Sequence, residues 1–240
     1  MDITLGLMSG NDIPIPECQI AVHQPRIKEI GFIGEEQFFL GSQTLCLDKQ
    51  LYVKDESALS SVNNFQIFMT IMSKKETAEK KLAVQQLLTI LFPKHQPLFT
   101  PKSFILNGEK ESILIDENNF GALQAALKQI LCLRSGPSDK QGFNPANSQA
   151  AEIAKKLMRG RQIAAEQKGG ANGSIFSQYI SILSIGLHFP VSELLNCTIF
   201  QIYDLYERYQ LFMAWDIDIR SRLAGGKPDD RPDNWMKNIH

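Results

Sequence analysis

Long uncharged apolar runs are missing from this chain. No window reaches the roughly eighteen residues that a membrane-spanning helix needs, which excludes that class of protein. The first residues, MDITLGLMSGND, carry an acid at Asp2 and no basic segment ahead of an apolar one, so a soluble protein without a cleaved export signal is expected. Cysteine is sparse and scattered: Cys18, Cys46, Cys132 and Cys197 stand alone, without the close pairs of a zinc site or the density of a secreted disulfide framework, and a reducing compartment fits. Excess charge is lacking too. With 25 basic against 26 acidic residues the formal charge is -1, which offers no long-range attraction to a polyanion, so nucleic acid is not an expected partner.

What is present is apolar material for a core. A content of 43% hydrophobic residues over 240 positions suffices for one sizeable domain or two small ones. Residues 1 to 23 alternate Ile3, Leu5 and Leu7, then meet Gly10, Pro14 and Pro16, and read as extended chain with one or two short strands. Pro25 fits the first turn of a helix, and the following segment supplies two short helical stretches around Gly31 and Gly34. Helices are predicted from Asn63 to Met72 and from Thr77 to Phe92, where Pro93 stops the second, and the short polar link between them predicts an antiparallel pair. Ser103-Phe104-Ile105-Leu106 and Ser112-Ile113-Leu114-Ile115 flank a polar turn with Asn107-Gly108, the pattern of a β-hairpin. Asp116 to Asn119 can cap the next helix, with Phe120, Leu123, Leu127 and Ile130 on one face.

Residues 135 to 147, SGPSDKQGFNPAN, form the expected linker, dividing the chain into an N-terminal module at 1 to 134 and a C-terminal helical module with an extended tail at 148 to 240. In the second module a basic helix is expected over Ser148 to Lys168, then a buried helix in IFSQYISILSIGLHF, ending at Pro190. The strongest helix signal follows. Thr198 and Gln201 form a capping box, and Ile199, Ile202, Tyr206, Tyr209 and Phe212 recur at helical spacing, predicting a helix from Ile199 to about Ala214. Beyond it Trp215-Asp216-Ile217-Asp218-Ile219-Arg220 alternates with a period of two, although Leu223 could continue a helical face. The fold class is therefore mainly α, with a small β-hairpin in the N-terminal module.

No catalytic or metal constellation emerges. Asp216 and Asp218 lack the further oxygen ligands that a hard cation requires, and they read more simply as solvated or paired with Arg220 and Arg222. Gly225-Gly226-Lys227-Pro228 lacks the earlier glycine and the hydroxyl residue of a phosphate loop. His23, His95, His188 and His240 lie far apart, none beside a serine or cysteine in a nucleophile motif. The cluster from Lys155 to Lys168 is interrupted by Glu152 and Glu166 and has no interleaved aromatics for base stacking. The tail DDRPDNWMKNIH is another matter: Trp235 and Met236 cannot be buried by local structure, so they either dock back on their own domain or meet a partner.

The strings HQPRIKEIGFIGEEQFF, ELLNCTIFQIYDLYERY, WDIDIRSRLAGGK and PDNWMKNIH resemble tail assembly chaperones and related tail-morphogenesis proteins of bacteriophages and prophages. That resemblance covers the two ends of the chain. It implies a non-enzymatic protein without a cofactor, made in the host bacterial cytoplasm, that shields the tape-measure protein and helps recruit tail-tube subunits. A structural component of the tail or baseplate, present in the virion, is the alternative. The expected protein-binding residues are Tyr206, Tyr209, Trp215, Ile217, Ile219, Trp235 and Met236, and the same surface leaves room for a homo-oligomer.

Overall fold

The computed structural model describes residues 3–52, 62–100, 103–109, 111–133, 173–225 and 234–236. The predicted linker at 135 to 147 and the predicted basic helix over 148 to 168 lie outside the described residues.

The chain opens with a helix where extended structure was predicted: α1 spans Thr4–Ser9 and buries Leu7. It leads into β1 (Ile13–Ile15) and β2 (Ile20–Val22), an antiparallel pair that turns back through a short 3-10 segment at Pro16–Cys18. Both strands alternate buried and exposed, so Ile13, Ile15, Ile20 and Val22 point into the core while Pro14 and Ala21 face out. Next come α2 (Ile27–Ile33) and α3 (Glu35–Leu45), separated at Gly34 as the sequence predicts. The helices α4 (Asn64–Ser73) and α5 (Ala78–Leu91) also form where expected, and Asn63 caps the first through a reciprocal exchange with Gln66.

Helices α3 and α5 pack backbone to backbone. A Cβ added at Gly41 would lie 2.6 Å from the Ala83 carbonyl oxygen, so glycine here is a condition of the close approach.

The predicted β-hairpin exists, but it is two-thirds of a three-stranded antiparallel sheet ordered β3 (His95–Phe99), β4 (Phe104–Gly108), β5 (Ser112–Ile115). Asn107 and Gly108 are not the turn itself. They end β4, Asn107 pairs with Ser112, and the Gly108 N–H donates to the Glu111 carbonyl. The added strand β3 is an edge strand, the one place in a sheet where Pro97, without an N–H, is tolerated. After the sheet, α6 (Phe120–Ile130) lays Phe120 against Phe68 of α4 at 5.1 Å between ring centroids, with Phe104 of β4 closing the group.

The C-terminal elements are α7 (Ile175–Leu187), α8 (Val191–Asn196) and α9 (Ile199–Leu223). They share the apolar core with the first 133 residues. Phe176 of α7 stacks on Phe39 of α3 at 5.8 Å and meets Tyr203 of α9 edge-on at 6.2 Å. The backbone joins as well. Arg26 and Thr198 form an isolated antiparallel bridge, in which the Ile27 N–H donates to the Cys197 carbonyl at 3.1 Å and the Ile199 N–H to the Pro25 carbonyl at 3.2 Å. These are the first residues of α2 and α9.

The fold is thus mostly α, with two small antiparallel sheets instead of one hairpin. Thr198 is buried, and its hydroxyl accepts from the Gln201 N–H while the Gln201 amide oxygen accepts from the Thr198 N–H. Thr198→Ala removes half of that exchange beside the bridge and is expected to cost about 1 kcal/mol in urea unfolding, with Thr198→Ser close to wild type. A second expectation concerns Cys46, whose thiol is pushed up to about 12 by burial, Lys128 pulling the other way. Folding therefore favours the protonated thiol. That contribution is intact below the ordinary value of 9.0 and is lost as pH rises towards 12. Urea midpoints measured across this range should fall, and Cys46→Ala should remove part of the fall.

Candidate protein-binding surface

The C-terminal elements leave apolar side chains outside. On α7, Phe176, Ile180 and Leu183 are buried against the body. The outer face mixes Ile175, Ile182 and Ile185, the last 75% exposed, with the exposed Ser177, Gln178 and Ser181, and Leu187, Phe189 and Val191 are exposed where the chain passes from α7 into α8. The buried helix predicted here is buried on one face only. Its largely apolar composition calls for burial, but no described element covers its outer side, where Ser177, Gln178 and Ser181 are also exposed.

Helices α7 and α9 run in the same direction, with α8 carrying the chain back between them, as the contacts rise together along both: Phe176 meets Tyr203, Tyr179 meets Tyr206, and Gly186 meets Tyr209. Tyr206 stacks on Tyr179 at 4.2 Å. Tyr209 lies where a side chain at position 186 would be, since a Cβ there would come within 2.3 Å of its ring. Two of the predicted binding residues, Tyr206 and Tyr209, thus take part in the α7–α9 contact and are half-buried.

Beyond Tyr209 the helix continues. It runs to Leu223, past the predicted end near Ala214, and the period of two in residues 215 to 220 gives way to helical spacing. The reason is visible in the charges: Arg220 pairs with Asp216 at 2.9 Å and Arg222 with Asp218 at 2.7 Å, both four residues apart with the acid first, the arrangement that supports a helix. Among the residues of α9 only Ile199 and Ile202 are buried. Of the predicted binding residues farther along, Ile217 is 62% exposed, while Trp215 and Ile219 are half-buried.

Trp235 docks back. Its ring lies 5.5 Å from Phe212 and 6.4 Å from Trp215, and its carbonyl accepts from the Arg208 guanidinium at 2.7 Å. Met236 beside it stays 67% exposed. Trp215 and Trp235 thus meet beside Phe212, apart from the tyrosines, while Ile217 projects from the opposite side of α9. Sequence reasoning missed Ile182, Ile185, Phe189 and Leu223; the isoleucines of α7, spread too widely for one helical face, are the signal that could have found the first two.

Among the described residues the histidines stand apart from one another. His23 lies between Asp12 at 3.0 Å and Glu29 at 3.2 Å, tying the loop before β1 to the first turn of α2. His95 lies in β3 and His188 caps α7 in a left-handed conformation, while His240 and the Lys155 to Lys168 cluster lie outside the described residues. Among the described residues no group of three or more histidines, cysteines and carboxylates could hold a metal ion. No described helix is long and apolar enough to cross a membrane.

These features define a mostly helical protein with exposed apolar side chains on its C-terminal elements. Residues 171–240, the part that carries this surface, match the family model described as the YomV second domain. That match suggests a phage-associated protein. No curated protein and no solved structure matches the chain.

The paired indoles give a direct check on the docked tail. Two tryptophans at this separation should couple in near-ultraviolet circular dichroism, and Trp235→Ala is expected to abolish the coupled signal at a stability cost of about 1 kcal/mol or less. A couplet that persists would mean that Trp235 does not rest on Trp215 in solution.

Proposed function

We propose that this protein is a non-enzymatic assembly factor for a phage tail, a chaperone that holds the tape-measure protein and tail-tube subunits in the host bacterial cytoplasm before they assemble. The observation that carries the reading is the exposed apolar surface of Ile182, Ile185, Leu187, Phe189 and Val191, lying inside the segment that matches the YomV second domain. Exposed apolar side chains of this kind on a helical frame fit the binding of another apolar helix face. The rings at Trp215 and Trp235 and the side chains of Ile217 and Met236 would extend the contact along α9. Nothing in this role requires a cofactor or an ionisable reacting group.

Co-expression with the tape-measure protein of the same phage should yield a soluble complex that survives purification. The triple variant Ile182→Asp/Ile185→Asp/Phe189→Asp, altered only at exposed positions, should fold normally and lose capture by about tenfold or more, since each truncated apolar anchor removes on the order of 1 kcal/mol. Failure of the client to dissolve or co-purify refutes the chaperone role. Stoichiometric presence of the protein in purified virions would point instead to a structural component of the tail or baseplate.

A further inference from the structure

Arg208, Phe212 and Trp215 follow one another at intervals of four and three residues, so they stand on one face of α9. The chain itself occupies that face. Trp235 sets its ring edge-on to Phe212 at 5.5 Å and beside Trp215 at 6.4 Å, and the Arg208 guanidinium donates to the Trp235 carbonyl at 2.7 Å. The occupant displays what the face recognises: a large aromatic ring together with the main-chain carbonyl of the same residue. Every residue offers the carbonyl, so selection rests on the ring. An extended segment carrying a tryptophan presents both groups, whichever chain it belongs to.

The cover is loose. With Trp235 in place Phe212 is still 40% exposed and Met236 is 67% exposed, and the Met236 N–H turns to the Asn234 side chain instead of to α9. None of residues 234–236 is buried, in contrast to Ile199 and Ile202 at the start of the helix. The tether is short enough to matter. Eight residues, 226–233, precede Asn234, and at about 3.3 Å per residue they can cover the roughly 17 Å by which α9 rises from Phe212 to Leu223. A tether of that length keeps the tail at a local concentration in the millimolar range, which holds a weak contact closed without making it permanent.

We propose that the Arg208–Phe212–Trp215 face of α9 is a recognition site for an extended, tryptophan-bearing segment of a partner protein, and that Trp235 is its tethered competitor, an autoinhibitory contact that the partner segment displaces. The tail excludes segments that offer no more than the ring and the carbonyl. A partner succeeds by adding contacts to the part of Phe212 that the tail leaves open. The tail of a second copy offers only the same contacts without the tether, and loses to it. The site does not depend on the chaperone role.

A labelled peptide with the chain's own tail sequence, PDNWMKNIH, followed by fluorescence anisotropy against the full chain, tests this assignment. The wild type should bind it weakly. Trp235→Ala, at a position outside the core, should bind it about tenfold more tightly, the gain expected on removing a competitor that keeps the site closed about ten to one. Adding either Phe212→Ala or Arg208→Gln to that variant should reverse the gain, and the peptide carrying Trp235→Ala should not bind. Far-ultraviolet circular dichroism checks that each variant keeps its helices. A Trp235→Ala protein that binds no better than wild type, a gain that survives both added substitutions, or an altered peptide that binds as well as the first overturns the proposal. So does a wild-type dimer in sedimentation that Trp235→Ala breaks, because the tail of a second copy would then fill the site.

Discussion

The structure hangs on a backbone bridge two residues wide. A helix start leaves its first N–H groups without partners inside the helix. In this chain α2 and α9 begin side by side, and each supplies what the other lacks: the carbonyl of Cys197 takes the N–H of Ile27, and the carbonyl of Pro25 takes the N–H of Ile199. The next donors are satisfied locally and in parallel fashion. Glu29 accepts from the Arg26 N–H at 2.8 Å, as Gln201 accepts from that of Thr198 at 2.8 Å. Two helix starts more than 170 positions apart in sequence are thereby capped at a single buried point. Neither could end there alone without orphaned donors in the interior.

This anchoring explains the gradient along α9. Its first turns are fixed by the bridge, by Ile199 and Ile202 in the core, and by the Gln201 amide, which donates to the Met8 carbonyl at 2.7 Å. Farther on the contacts become aromatic and peripheral, from Tyr203 through Tyr206 and Tyr209, and past Tyr209 no residue of the helix is buried. A helix held at one end can extend its other end at low cost, since each added residue contributes its own backbone hydrogen bond. The same geometry that secures the C-terminal elements to the body therefore displays apolar side chains at its far edge.

Much of this was legible in the sequence, and the exceptions share a cause. Capping chemistry is local, so Thr198 with Gln201 announced the start of α9 correctly, and Gly34 marked the break between α2 and α3. The long-range features were not legible. Nothing in His95–Phe99 marks it as a strand while Pro97 stands in the middle; only pairing with β4 makes it one. The alternation in residues 215 to 220 matches a strand as well as a helix, and it was the spacing of Asp216 with Arg220 and of Asp218 with Arg222 that carried the right answer. The two fates open to Trp235 could be decided only by knowing that Phe212 and Trp215 stand on one face of α9, with Arg208 one turn earlier to bind its carbonyl. As for the candidate surface, hydrophobicity identified α7 as a largely apolar, buried helix but could not say which side the body would leave uncovered.

Near-neutral charge sharpens what such a surface can do. With a net charge of -1 the protein gains little from electrostatic steering, so encounters with a partner are set by diffusion and selection falls to short-range fit. The two exposed regions differ in how they would select. The outer face of α7 interleaves isoleucines with Ser177, Gln178 and Ser181 and carries no ionised side chain, which leaves short-range packing to decide what it contacts. The distal part of α9 carries paired charges of fixed order beside Trp215 and Ile219, which confine a contact there more closely.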